Sequence, residues 1–304
     1  MRTSRNGNQQ ATIATPLVPD SPGRFLKCEF LHPGRSHKAR VARCLVDDAE
    51  AAGFVGGPGG RVLLERTGGN LGVGLAVEAS VRGYALTLVT DSGYSAAKKS
   101  LARRLGATVL DRDTDFPGAQ DNGEAVAELL ATDRDRYHYL NQFGNPANPA
   151  THESFTGPEV AHQLQLADVP EEATVVLVSG LGTGATMRGV STALRRTFRA
   201  VRTVGVEPPH CDLRAGRYGE HSIQGIAVGQ AAPFFPVAEL DEVIPVSERD
   251  LAIAKQRLMS NHRFDVGPSS LANYAALVRV DEVYRDVHDH VLLTFLFDRG
   301  EDYG

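Results

Sequence analysis

Short apolar runs alternate along this chain with longer stretches in which apolar residues recur every three or four positions. That alternation predicts strands between helices. Residues 25–30 alternate and read as a strand, which His32-Pro33-Gly34 breaks. A helix is expected over 38–52, with Ser36 as its N-cap and Val41, Leu45 and Ala49 on one face. Gly53 and the glycine cluster of 56–60 close it. A strand over 61–64 leads through a glycine turn to a helix over 71–81, and 85–89 is a short buried strand. A helix over 95–105 stops at Gly106, 108–110 is a strand, 111–123 an acidic loop and 124–132 a helix. Residues 137–140 lead into 141–149, whose two prolines and three asparagines predict a structured loop. A helix over 151–164, a strand over 175–178, a helix to 198 and a strand over 201–206 follow. After a polar connection over 208–222, residues 243–246 precede a helix capped by Ser247. Residues 265–270 turn into a helix to 280, and 291–295 form the last strand. The pattern is α/β with largely parallel sheets.

Composition narrows this picture. At 304 residues the chain is long enough for two domains or one large α/β domain. Its 42% hydrophobic and 23% charged residues are ordinary for a globular protein. A net charge of −5 carries no basic footprint for nucleic acid. No apolar run is long enough to span a bilayer, so no membrane partner is expected. Residues 1–10 are polar, lack the apolar stretch of a secretory signal and read as a mobile tail. Cys28, Cys44 and Cys211 are odd in number and widely spaced, which is neither a disulfide framework nor a zinc pattern. They read as free thiols of a reducing cytoplasm.

Two glycine turns and one lysine carry the chemistry. Glu65-Arg66-Thr67-Gly68-Gly69-Asn70-Leu71-Gly72 joins a strand to a helix start, a geometry that points backbone N–H groups at an anion. Alone it is also what any tight strand-to-helix connection looks like. Lys38 stands at a helix start, where the positive end of the helix dipole opposes a charged amine. It reads either as a solvated surface lysine or as a neutral amine able to form a Schiff base. Gly182-Thr183-Gly184-Ala185-Thr186 follows a buried strand and opens a helix, as a phosphate cradle does. No Gly-Lys-Ser/Thr follows, and Met187 breaks the dinucleotide fingerprint. A phosphate site without nucleotide signatures, beside a Schiff-base lysine, fits pyridoxal 5′-phosphate.

Six stretches, these three and three more, together resemble the cysteine synthase group of fold-type II pyridoxal phosphate enzymes, the β-substituted alanine synthases. The resemblance spans about residues 25–303. His32-Pro33-Gly34-Arg35-Ser36-His37-Lys38-Ala39-Arg40 is similar to the group's lysine motif and implies Lys38 as the Schiff-base lysine. Thr67-Gly68-Gly69-Asn70-Leu71-Gly72 resembles its asparagine loop, which implies Asn70 beside the cofactor's ring hydroxyl and Thr67, Gly68, Gly69 and Leu71 at the substrate. Gln142-Phe143-Gly144-Asn145-Pro146-Ala147-Asn148-Pro149 implies Gln142 near the substrate carboxylate. Gly182, Thr183, Gly184, Ala185 and Thr186 are implied as the cofactor's phosphate loop, Gly225 in Ile223-Gln224-Gly225-Ile226 as a substrate-entrance residue, and Ser269 in Gly267-Pro268-Ser269-Ser270 as the partner of the pyridine nitrogen.

The implied fold is that of the tryptophan synthase β-subunit, two α/β domains with mostly parallel twisted sheets. The larger, cofactor-binding domain takes residues 1–40 and 145–304, the smaller and mobile one 41–144. The implied activity is β-replacement on an O-activated L-serine, O-acetylserine or O-phosphoserine, through an α-aminoacrylate. It gives cysteine or another β-substituted alanine, with a small amino-acid substrate, a nucleophilic co-substrate and a cytoplasmic homodimer. Two alternatives stay open: a dehydratase, lyase or racemase of the same fold, and a non-catalytic regulatory homologue that binds the cofactor. The chain departs from the group where Gly68 and Leu71 replace a serine and a threonine that hold the substrate carboxylate. Each lost bond to a charged group is worth roughly 1.5–3 kcal/mol. Leu71, Asn141-Gln142 and Val89-Thr90-Asp91 resemble a branch that uses O-phosphoserine, and Arg66 adds a cation beside the loop. His210, Arg214, Arg217 and His221 read as a solvated loop or as a gate for an anionic second substrate. The ending over 298–303 reads as compact or as slightly truncated relative to that group.

Overall fold

The computed structural model describes residues 13–56, 60–284 and 289–303. The expected tail over 1–10 and part of the glycine cluster after the first helix lie outside these residues. In chain order the elements are β1 (Leu17–Ser21), β2 (Arg24–Cys28), α1 (Lys38–Ala51), β3 (Val62–Arg66), α2 (Asn70–Arg82), β4 (Leu86–Thr90), α3 (Ala96–Arg104), β5 (Thr108–Asp111), α4 (Arg112–Asp115), α5 (Asn122–Thr132) and β6 (Tyr137–Tyr139). The second half contains α6 (Ala147–Thr151), α7 (Gly157–Leu166), β7 (Thr174–Gly180), α8 (Ala185–Leu194), β8 (Ala200–Glu207), β9 (Glu242–Pro245), α9 (Glu248–His262), α10 (Pro268–Tyr284) and β10 (His290–Leu296).

The strands form two sheets. One has six strands in the order β1-β2-β10-β7-β8-β9, the other four in the order β5-β4-β3-β6. Every pairing is parallel except β1 with β2. Parallel strands need helical crossovers, which cover both faces of a sheet and make its strands apolar throughout. The residues obey this. In the six-stranded sheet, Leu26, Val176, Val178 and Leu292 pack on one face with residues of α9 and α10. Phe25, Val175, Leu177 and Leu293 pack on the other with residues of α7 and α8. In the four-stranded sheet, Leu63 and Leu88 meet α1 and α2, while Leu64 and Val89 meet α5.

Several boundaries differ from the expectations for physical reasons. An unexpected strand, β1, precedes the first expected one; the latter, β2, ends at Cys28, and Glu29–Leu31 turn into a 3₁₀ helix. Ser36 does not cap α1; His37 holds the cap position without a side-chain bond, and the buried Ser36 hydroxyl has no partner. Ser36 instead pairs with Asp298 as an antiparallel bridge. The stretch 141–149 is not all loop. α6 begins at Ala147, where Asn145 Oδ1 accepts from Ala147 N (2.9 Å) and Pro149 falls in the first turn, where a missing N–H is harmless. A π-helical turn, His152–Thr156, links α6 to α7. The acidic loop holds one helical turn, α4, and α8 ends at Leu194. The Ser247 cap is present as a full capping box with Asp250.

Candidate active site

One cleft, with an empty volume of about 880 Å³ including its mouth, is walled by loops of both sheets. From the four-stranded sheet come the turn after β3, the start of α2, the start of α3 and the segment after β6. From the six-stranded sheet come the turn after β7, the start of α10 and the segment after β10. These are the carboxyl ends of parallel strands, where ligands of open α/β sheets bind.

Lys38, the first residue of α1, projects into this cleft. The segment before it is tied down by His37 N donating to Phe297 O (3.1 Å). The turn after it is pinned by the buried Arg40, whose Nε donates to Oε2 of the buried Glu29 (2.9 Å) and whose Nη1 donates to Oε2 of the part-buried Glu159 (2.8 Å). Lys27 pairs with the same Glu159. The Lys38 amine itself makes no hydrogen bond or ion pair among the described residues. Burial lowers it to about 8, against the pull of Glu65. Glu65, at the end of β3, is fully buried and accepts from Arg66 N (2.9 Å) and Gln142 N (3.0 Å). Burial raises its carboxyl to about 8. The glycine-turn stretch begins at Glu65 but gave it no role; the available signal was an acid directly after the apolar run Val62-Leu63-Leu64.

Opposite, the phosphate-type loop opens α8. Gly184 has φ +79°, and a Cβ there would stand 2.7 Å from Phe235 N. A Cβ on Gly182 would stand 2.5 Å from Gly225 O. Only glycines allow this close backbone approach. Thr186 Oγ1 meets His152 Nε2 (3.3 Å), and His152 Nδ1 meets Thr156 Oγ1 (3.1 Å). Burial, with Lys38 adding to it, holds the His37 and His152 imidazoles well below their usual range. Two neutral imidazoles therefore lie near the cradle.

The cleft brings together Lys38, Thr67, Gly69, Asn70, Leu71, Gln142, Gly182, Thr183, Gly184, Thr186, Gly225 and Ser269. Asn70 Nδ2 donates to Asp298 Oδ2 (2.7 Å), and Gln142 Nε2 to Arg66 O (3.2 Å). Two expected residues stand behind the wall. Ala185 is buried in the first turn of α8. Gly68 packs against β4 and α3 instead: a Cβ there would fall 2.0 Å from Thr90 Oγ1 and 2.7 Å from Tyr94 Cγ. Tyr94 and Lys98 line the cleft without having been expected. The Arg66 guanidinium lies over the Phe143 ring at 4.4 Å, outside the lining. Arg217 pairs with Asp212, Arg214 donates to Leu240 O (3.2 Å), and the His210–His221 cluster stays out of the lining. Cys28 is pushed up to about 12 by burial, an inert thiol.

A deep unpartnered amine facing a glycine cradle at a helix N-terminus suits a phosphorylated aldehyde. Among the described residues, no group of three His, Cys, Asp or Glu could hold a metal ion. The family model for pyridoxal-phosphate dependent enzymes matches residues 9–294. This chain belongs to that family. A probable cysteine synthase of Bacillus subtilis is 31% identical over 299 residues, which is 95% of this chain and 93% of that protein. The O-ureido-L-serine synthase of Streptomyces lavendulae is 32% identical over 292 residues, 94% of this chain and 85% of that one. The crystal structure of an O-acetylserine dependent cystathionine β-synthase from Helicobacter pylori superposes with a TM-score of 0.80 at 28% identity, covering 95% of this chain and 94% of that one. Within the family the chain falls in the cysteine synthase group, with the fold-type II architecture. Its cofactor is pyridoxal phosphate. The residues present fit that group: the free Lys38 amine suits the aldehyde, and the cradle at Gly182 and Gly184 leaves backbone room for the phosphate.

Proposed function

We propose that this chain catalyses β-replacement on an O-activated L-serine, breaking the Cβ–O bond so that a carboxylate or inorganic phosphate leaves and a nucleophile takes its place on Cβ, giving a β-substituted alanine such as cysteine. The observation that carries this reading is the unpartnered Lys38 amine, lowered to about 8, facing a glycine cradle across one cleft. The cofactor, when bound, supplies the electron sink that lets an amino acid lose its α-proton. Lys38 carries the cofactor, then takes the α-proton and returns it. Backbone N–H groups of 182–186 hold the phosphate end. Asn70 would meet the ring hydroxyl, and Ser269, buried at the start of α10, would meet the ring nitrogen. Thr67, Gly69, Leu71 and Gln142 receive the substrate carboxylate, chiefly through backbone N–H groups of the turn. Gly225 lines the entrance. The body over 41–144 closes on the larger one to exclude water. A cytoplasmic homodimer, with a small nucleophilic co-substrate, completes the proposal; the relatives that use or make O-substituted serines support the donor class.

The deciding experiment is the absorption spectrum of the purified protein with pyridoxal phosphate, before and after O-acetylserine and, separately, O-phosphoserine. A violet band that changes with one donor and not the other is expected, and the donor that works identifies the leaving group. The Lys38→Ala variant should bind the cofactor without that band and turn over neither donor. Turnover retained in Lys38→Ala, or no cofactor band in the wild type, would sink the proposal.

A further inference from the structure

Asp298 stands just past β10, fully buried, and no sequence motif marks it. Its backbone joins two loops that carry site residues. It pairs with Ser36, two residues before Lys38, and its carbonyl accepts from Gly267 N (3.0 Å), two residues before Ser269. Its side chain reaches a third. Oδ2 accepts from Asn70 Nδ2 (2.7 Å), from Lys98 Nζ (3.1 Å) and from the Tyr303 hydroxyl. Oδ1 is buried with no hydrogen-bond partner among the described residues. Asn70, Lys98 and Tyr303 line the cleft, so this carboxyl lies one layer behind its wall. A Cβ on Gly267 would stand 2.3 Å from Oδ1, so the fit depends on a glycine there.

We propose that Asp298 is a positioning residue that acts through Asn70. A carboxylate only accepts hydrogen bonds. It therefore fixes which end of the Asn70 amide faces it: the NH₂ group turns toward Oδ2, and a flip would set the amide oxygen against the carboxylate. The second N–H of that NH₂ group meets the Tyr303 hydroxyl at the cleft wall, where an incoming ring oxygen can share it. Lys98 supplies the charge that makes a buried carboxylate tolerable, because an unpaired one is strongly destabilising. The Lys98 amine lies 3.6 Å from the centre of the Tyr303 ring, so cation, ring and carboxylate pack as one unit. This inference rests on the proposed reading that Asn70 faces the cofactor's ring oxygen. Under it, Asp298 guarantees that the oxygen meets a donor, which favours the ionised oxygen and the visible-absorbing form of the bound cofactor.

The test is Asp298→Asn, close to isosteric, read in the holoenzyme by the share of bound cofactor absorbing in the near ultraviolet instead of the visible. One hydrogen bond of ordinary strength predicts a rise in that share of about 2- to 10-fold. In an Asn70→Ala background the same change should add nothing, because the amide through which Asp298 acts is gone. A merely structural role would lower the melting temperature of the cofactor-free protein and leave the band ratio alone. An unchanged ratio with cofactor bound, or an equal change in the Asn70→Ala background, overturns the inference. Should Asp298→Asn not fold, Asp298→Ser removes the carboxylate with a smaller side chain and is read the same way: a changed ratio that vanishes in the Asn70→Ala background supports the inference and an unchanged one overturns it. A wild type that takes up no pyridoxal phosphate would instead overturn the functional reading, and this inference with it.

Discussion

Lys38 and Glu65 are the pair in which burial and charge oppose each other most directly. Burial lowers the amine from 10.5 to about 8 and raises the carboxyl from 4.5 to about 8. Between pH 4.5 and 8 the folded, cofactor-free protein holds a proton on Glu65 that the unfolded chain has released. Stability therefore falls as pH rises through that window. Between 8 and 10.5 the unfolded chain keeps a proton that Lys38 has lost, and stability rises again. Glu65→Gln removes the falling limb, so the wild type should lose stability relative to that variant from pH 5 to pH 8. Urea unfolding of both cofactor-free proteins across that range measures it, and a pH-independent difference would refute the assignment. At this scale the sequence was half legible. Lys38, Asn70 and Ser269 sit in motifs for which the family resemblance implies a role, and the fold brings all three to one cleft. Glu65 and Asp298 acquire theirs from burial and from partners far along the chain, such as Gln142 and Asn70, which no local pattern records.

The turn between β3 and α2 shows how one element can mislead when read as a string. The resemblance makes Gly68 look like a lost hydroxyl that serine would restore. In the fold, the space beside Gly68 already belongs to Thr90 and Tyr94, with contacts of 2.0 and 2.7 Å for a Cβ. The glycine is thus part of the packing of this turn against the end of β4 and the start of α3. Gly68→Ser should destabilise the protein by about 1–3 kcal/mol, the range for overpacking, and should not improve binding of the amino-acid donor. Thermal unfolding and donor titration of the same sample check both halves; a stable variant with tighter donor binding would show that the loop simply lacks a hydroxyl. The central strands β4, β7 and β10 were readable because each is buried on both faces and therefore largely apolar along its length, whereas the half-buried β1 carried no such signal. The start of α6 inside a proline-rich loop was not, since Pro149 reads as a breaker until its place in the first helical turn is known.

At the scale of the whole molecule, the contacts across the cleft are few and specific. Lys98 and Asn70 reach Asp298, Ser95 Oγ donates to Asp302 O (2.7 Å), and Gln224 Nε2 donates to Gly93 O (3.2 Å). The first three join the wall and its backing to the chain's last residues. The last joins the entrance segment to the loop before α3, near the surface, and Gln224 also lines the cleft. The resemblance implied more than one sheet, which strand order alone did not, and these bridges were not legible at all, because they link residues 131 to 228 positions apart. If the body over 41–144 closes over the donor, the Gln224 bridge belongs to the closed form and its loss should weaken closure while leaving the cofactor in place. Gln224→Ala should then raise the KM for the donor about fivefold, the worth of one neutral hydrogen bond of about 1 kcal/mol, with the resting absorption band unchanged. Closure also shields the bound donor from water, so the variant should release more carboxylate or inorganic phosphate per molecule of β-substituted product. Steady-state kinetics with both products quantified decides it. An unchanged KM and an unchanged product ratio would mean that the bridge holds the two walls together in every state, and that donor binding uses no movement of the smaller body.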